Sequence, residues 1–178
     1  LANYHHALAQ REAGPGGQQT TAREYYLAAI NYYQSFINSF PRDDRVPALG
    51  FLLGECQFEV GDYPGAIRTY EWVAYESGSH DSADSEQAAD AAYAALLAYD
   101  RLGQDPTAPA AEQRIASERR FAATFAADPR APAVLEHASA ALLLLDEYEQ
   151  SADAASIVIG WQPPPDAGLL TAARLVLG

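Results

Sequence analysis

Lysine and methionine are absent from this chain, cysteine occurs once, and no apolar run approaches the ~20 residues of a membrane span. Each shortage removes a class of explanation. A lone cysteine, Cys56, cannot build an internal disulfide framework, and its place among apolar residues reads as a small buried thiol. All of the basic residues are Arg, 11 against 24 acidic residues, for a net charge of -13. That balance argues against a nucleic-acid or anionic-membrane partner. An Arg-only basic set with abundant Ala suggests a GC-rich genome and a salt-adapted source. A chain that begins at Leu1 without Met is expected to be a piece of a longer protein, and with no signal peptide at its N-terminus its location cannot be read directly.

Chemistry-bearing patterns are also missing. No GxSxG, phosphate loop, HExxH or paired-Cys pattern occurs, so neither an enzyme nor a cofactor is expected. His5 and His6 are adjacent, about 100° apart on a helix, and cannot turn both rings toward one metal. His80 with Asp81, Asp84 and Glu86 lacks the alternating carboxylates and central Gly of a calcium loop and reads as solvated loop. His137 beside Glu136 has no organised nucleophile near it and reads as packing or surface.

What the chain does contain is helical periodicity broken by Gly and Pro. Pro47 to Tyr75 is the clearest stretch. Leu49, Leu52, Leu53, Cys56 and Val60 recur on one helical face, while Phe51, Glu55 and Phe58 share an adjoining one. Gly61 supplies a left-handed stop, Asp62 can cap the next helix, and Pro64 falls in that helix's first turn. Ala66, Ile67, Tyr70, Val73 and Ala74 then form the complementary stripe, with Ala66 small enough for close backbone approach. This is one helical hairpin.

The hairpin resembles the tetratricopeptide repeat, whose unit of about 34 residues places a Leu-Gly pair in helix A and a small residue, an aromatic and another small or apolar residue in helix B. Leu53-Gly54, Ala66, Tyr70 and Val73 occupy those places, and Gly61 and Tyr63 match residues common at the turn. The departures are Gly50 at the early Trp, Gln57 at the helix A Tyr and Gly78 at the closing Pro.

Taken in order, residues 1 to 13 read as a first helix A, followed by the GPGGQQT break. From a cap at Thr20 or Thr21 a helix B follows, with Ala29, Tyr33, Phe36 and Pro41 at the repeat's spacings. After the central hairpin, ESGSHDSADSEQ reads as an exposed loop. Ala88 to Leu102 is the third helix A, with Tyr99 at the Tyr place and Gly103 as terminator. QDPTAPA is a loop, and a helix from about Ala111 to Ala127 is expected to bury Ile115, Ala122 and Phe125. Pro132 to Leu145 and Tyr148 to about Ile159 form a fourth pair, with Ser151 and Ala155 replacing the usual Ala and aromatic. WQPPP then breaks the chain before a last apolar helix, DAGLLTAARLVLG. An offset of 85 residues lays Phe40, Arg45, Pro47, Ala48, Tyr63 and Val73 onto Phe125, Arg130, Pro132, Ala133, Tyr148 and Val158. The excess over two repeats falls in the two long loops.

The expected fold is therefore all-α, a right-handed tetratricopeptide-like solenoid of about four antiparallel helix pairs plus a terminal helix. It forms a single repeat domain over 1-178, with repeats at 1-41, 47-77, 88-127 and 132-160 and the last helix at 166-177. The resemblance implies a groove lined by the A helices, carrying Phe51, Glu55, Phe58 and Glu59, then Tyr93, Leu97, Asp100 and Arg101, then Glu136, Ala140 and Leu143. Aromatics beside carboxylates suit a protein or peptide with apolar anchors and basic flanks. The family's carboxylate-gripping subclass uses Lys, Arg and Asn where this chain has Glu, Phe and Asp, so chaperone-tail binding is not implied. Tyr-rich helices, Phe40-Pro41 and Leu53-Gly54-Glu55 also resemble, loosely, bacterial envelope repeat proteins of the Tol-Pal and outer-membrane-assembly type, which implies a periplasmic scaffold. A rival expectation is a structural spacer that self-associates through the apolar helix Leu169 to Leu177.

Overall fold

Gly and Pro punctuate the chain, and helices fill the intervals. The computed structural model describes residues 1–77, 82–103 and 109–178. It is all-α: among the described residues there are nine helices and no strand. They are α1 (Ala2–Ala13), α2 (Gln19–Ser39), α3 (Val46–Glu59), α4 (Tyr63–Tyr75), α5 (Ser82–Leu102), α6 (Pro109–Thr124), α7 (Ala131–Leu144), α8 (Tyr148–Ile159) and α9 (Ala167–Leu177). The chain divides into two compact units, Leu1–Arg101 and Leu102–Gly178. In each unit consecutive helices pack side by side, the arrangement of a helical-repeat fold.

In the first unit, α3 is packed on two sides. Leu53 and Cys56 join Ala9, Ala22, Tyr26, Ala29 and Tyr33 of α1 and α2 in one buried cluster, with Leu49, Leu52 and Val60 against it. Ala66, Ile67, Tyr70 and Val73 of α4 form a second cluster with Ala91, Ala95, Ala98 and Tyr99 of α5. The stripe and the adjoining face expected of α3 are thus real and distinct. Gly61 ends α3 at φ +81°, where a side chain would strain the backbone. Asp62 Oδ1 accepts the Gly65 N–H at 3.0 Å and so caps α4. Arg23 of α2 donates to the Val60 carbonyl at 2.6 Å, satisfying a group at the end of α3.

Two departures from the repeat pattern in this hairpin, Gly50 and Gln57, have a local account. The Trp72 ring lies over Gly50, where an added Cβ would meet Trp72 and Val73 atoms at 2.8 and 2.7 Å, so helix B supplies the indole that helix A lacks. Gln57 is buried, and its side-chain oxygen accepts the Thr69 hydroxyl at 2.7 Å, a polar tie between α3 and α4. Gly78 lies outside the described residues.

Four expected boundaries shift. Helix α2 begins at Gln19 with Gln18 as its cap and no side-chain capping bond, so Thr20 and Thr21 are inside the helix. Helix α5 begins at Ser82 rather than Ala88, taking in half of the segment read as loop. That segment lacks apolar periodicity, yet Ser82 to Gln87 holds no Gly or Pro and carries Glu and Gln, good helix formers. Helix α6 runs from Pro109 to Thr124 rather than Ala111 to Ala127, because Pro is tolerated in a first turn. Ile115 and Ala122 are buried as expected, but Phe125 follows the helix and is only half-buried.

In the second unit α6, α7 and α8 pack in sequence, and α9 lies against both α8 and α7. Ile115, Ala138 and Leu142 centre one cluster. Ala173 is the fully buried residue of α9, whose N-terminus is capped by Asp166 Oδ1 accepting the Leu169 N–H at 3.0 Å. Asp146 adopts φ +61° between α7 and α8. It stands at the 85-residue echo of Gly61, and Asp is among the few side chains that enter the left-handed region readily.

The echo extends to the joints between hairpins. At one joint the Asp43 N–H donates to the Phe40 carbonyl and the Val46 N–H to that of Asp43; at the other, Asp128 and Ala131 repeat both bonds to Phe125 and Asp128. Arg45 grips Asp43 with two bonds of 2.8 Å, and Arg130 grips Asp128 with bonds of 2.9 and 2.6 Å. Each guanidinium also covers a Phe ring at the end of the preceding helix, Arg45 at 4.8 Å from Phe36 and Arg130 at 5.9 Å from Phe121. A bidentate carboxylate and a ring face together fix the direction in which the next helix leaves.

Candidate functional site

The residues expected to line a groove fall on three helices, and each helix sets what its side chains can offer. On α3, Phe51 and Phe58 are half-buried and pack against the α4/α5 cluster. Phe51 lies 5.5 Å from the Tyr70 ring, and Phe58 meets Tyr63 edge to face at 5.4 Å. Part of both rings is therefore committed to the fold. Arg101 of α5 places its guanidinium 5.6 Å from the Phe58 centroid, which brings the ends of α3 and α5 together.

Around that contact the strip is mixed in exposure and acidic on the α3 side. Glu55 is half-buried, and burial raises its carboxyl pKa, with the neighbouring Glu59 adding to the shift. Glu59 is exposed and stands at the wall of a cavity of about 320 Å³ bordered by Ala13, Arg23 and Tyr26. On α5, Leu97 and Arg101 are exposed while Tyr93 and Asp100 are half-buried. In the second unit Glu136 and Ala140 of α7 are half-buried and Leu143 is exposed.

The histidines separate as their spacing requires. His6 is buried between Tyr26 and Tyr33 and shares a 3.3 Å contact with the Tyr33 hydroxyl, which itself donates to Asn3 at 2.9 Å. Burial lowers the His6 pKa. His5 instead stacks on Tyr32 at 5.3 Å with its edge toward Tyr4. Among the described residues no group of three or more His, Cys, Asp or Glu converges to hold a metal. The set of His80, Asp81, Asp84 and Glu86 falls largely outside the described residues.

No protein-family model, no curated protein and no solved structure matches this chain.

Two further arrangements in the second unit lie apart from the residues expected of a groove. Glu118 is buried, and its Oε1 accepts from Arg114 at 2.9 Å and faces His137 Nδ1 at the same distance. His137 thus tethers α7 to a carboxylate on α6. The spacing of Arg114 and Glu118 is a helical pair, but nothing in the sequence marks it as buried. The second is a cavity of about 830 Å³ whose walls include Ala116, Arg119 and Ala123 of α6, Leu135 of α7, Ile157 of α8 and Trp161. Of its lining residues on α6, the sequence singles out Ala122 alone, as a core position.

Proposed function

We propose that this chain is a tetratricopeptide-type binding module, an adaptor rather than an enzyme, that holds an extended or helical protein segment against α3 and α5. The observation that supports the reading is the meeting of Phe58 and Arg101 at the ends of α3 and α5; Glu55 and Glu59 share α3 with Phe58, and Leu97 shares α5 with Arg101. Apolar surface bordered by carboxylates suits an apolar anchor with basic flanks. Glu136 and Leu143 on α7 are the second unit's candidates for the same role. The looser likeness to bacterial envelope repeat proteins extends the proposal to a periplasmic setting.

The test is selection of short displayed peptides on the full chain, followed by Glu55→Lys with Glu59→Lys and by Leu97→Ser. Enriched peptides are expected to combine an aromatic or aliphatic residue with Arg or Lys, and to lose affinity for the charge-reversed variant while its helical circular dichroism is retained. Peptides that bind both variants as they bind the original chain would overturn the reading.

A second reading, self-association, has its own support. Leu175 is 77% and Leu177 47% exposed on α9, an apolar edge facing solvent. Sedimentation over a concentration series decides it, and a strict monomer rejects it.

A further inference from the structure

The cavity on the second unit is chemically unlike the α3/α5 strip. Its floor is apolar, from Ala116, Ala122, Ala123, Ala126 and Leu135, with Ile157 and Trp161 as walls. Its charged lining residues are Arg119 and Arg120, with no carboxylate among the lining residues. In a chain of net charge -13 that is a local inversion of sign. About 830 Å³ is within the range of ligand sites. Ile157 is 55% exposed, so the cavity is a groove open along one wall rather than a closed chamber.

Arg119 supplies the recognition element. Its Nη1 donates to the side-chain oxygen of Gln150 at 2.8 Å, and the Gln150 amide in turn donates to Glu147 Oε2 at 3.0 Å. The guanidinium thus contacts a neutral amide, with a carboxylate only at the far side of it, and among the described residues no acid pairs with it directly. Five N–H donors and a single amide acceptor leave room for a second, planar acceptor. A carboxylate is the group whose geometry fits a guanidinium fork.

We propose that this groove between α6, α8 and the Trp161 segment docks a partner protein segment that inserts an apolar side chain onto the alanine floor and places an adjacent Asp or Glu on Arg119. An open, alanine-floored groove admits a side chain carried on a backbone, as in helix-in-groove recognition. The arginine lining of this groove is opposite in sign to the carboxylates of the α3/α5 strip. The proposal does not depend on the function assigned to that strip.

A displayed library of random short peptides, selected on the full chain and counter-selected on Ala123→Trp, which fills the groove, tests it. Enriched peptides should pair an aromatic or aliphatic residue with Asp or Glu, and should perturb Trp161 fluorescence in a Trp72→Phe background. Arg119→Glu should weaken them by about tenfold or more, the loss expected for a hydrogen bond to a charged group. Peptides in which Lys replaces the acid should regain that affinity on Arg119→Glu. Peptides without acidic bias, or acidic peptides indifferent to Arg119→Glu, would overturn the proposal. So would saturable binding of dodecanoate, an anionic amphiphile, with no peptide enriched over the counter-selection. Retained helical circular dichroism in both variants separates loss of the site from loss of fold.

Discussion

Ser139 of α7 and Ser151 of α8 each donate their hydroxyl to the other's backbone carbonyl, at 2.8 Å in both directions, and both are fully buried. At the 85-residue echo these positions are Gly54 and Ala66, and Ala155 stands at the echo of Tyr70. The two hairpins therefore solve one packing problem in two ways. In α3/α4 the Tyr70 ring lies against Gly54, so closely that an added Cβ would sit 2.6 Å from the ring. In α7/α8 Ala155 offers no ring at that place, and two hydroxyls cross the interface instead.

This exchange predicts strong non-additivity. Gly54→Ser alone drives a side chain into the Tyr70 ring and is expected to cost ~1–3 kcal/mol through overpacking. Tyr70→Ala alone leaves a void and is expected to cost ~3–5 kcal/mol, by analogy with other buried aromatics. The pair, with Ala66→Ser added to rebuild the reciprocal bonds, should cost well under the sum of the parts. Urea unfolding of the series measures it; simple additivity would mean that the hairpins do not share a register.

A second prediction concerns the Arg-gripped joints. Hydrogen bonding from Arg45 holds the Asp43 carboxyl at about 2, and Arg130 lowers that of Asp128 in the same way. A carboxylate whose folded pKa is depressed stabilises the fold above its unfolded value of about 3.9, and that stability is lost as pH falls toward the folded value. Melting temperature should therefore drop between about pH 4 and pH 2. Asp128→Asn, at the more buried joint, should flatten that drop more than Asp43→Asn. Equal acid sensitivity in both variants and the original chain would show that the joints do not carry it.

Much of this was readable from residue spacing, and the reasons for the failures are physical. Gly61 and Asp62 announced their turn because only certain residues tolerate that backbone. The start of α5 has no apolar period to mark it, since Ser82 to Gln87 holds only polar and charged residues besides Ala83. Ser151 and Ala155 looked like defects until Ser139 appeared opposite them, since compensation across two helices is not a local property. Spacing sets Phe51 and Phe58 on a face apart from Leu53 and Cys56, yet it cannot tell how much of a ring its neighbours consume. The groove beside Arg119 left no signature, because alanines that line a cavity and alanines that fill an interface have the same period.

His6 provides a third test, of how α1 is anchored. Burial depresses its folded pKa below the ordinary value of 6.5, so the folded state resists a proton that the unfolded chain accepts. The resulting stability is present above about pH 6.5 and is lost as pH falls through that value toward the folded pKa. His6→Gln should cost stability at neutral pH, because the contact with Tyr33 is disturbed, and should abolish the slope between about pH 7 and pH 5. Thermal unfolding at a series of pH values reads both effects. A slope that survives the substitution would place its origin elsewhere.

Cys56 tests the packing of α3 from the opposite end of the pH scale. The thiol is fully buried among α1, α2 and α3 residues, and burial, reinforced by Glu55 and Glu59, pushes its pKa up to about 12. Since the thiolate is the reactive form, iodoacetamide near pH 8 should label the native protein only as fast as α3 opens, and label the urea-unfolded chain at the rate of a free thiol. A folded pKa above the unfolded value also means that stability present below about pH 8.5 is lost as pH rises beyond it. Cys56→Ala should remove that alkaline loss at the modest cost of one sulfur's packing. Rapid labelling of the native chain would show that α3 is not held against α1 and α2.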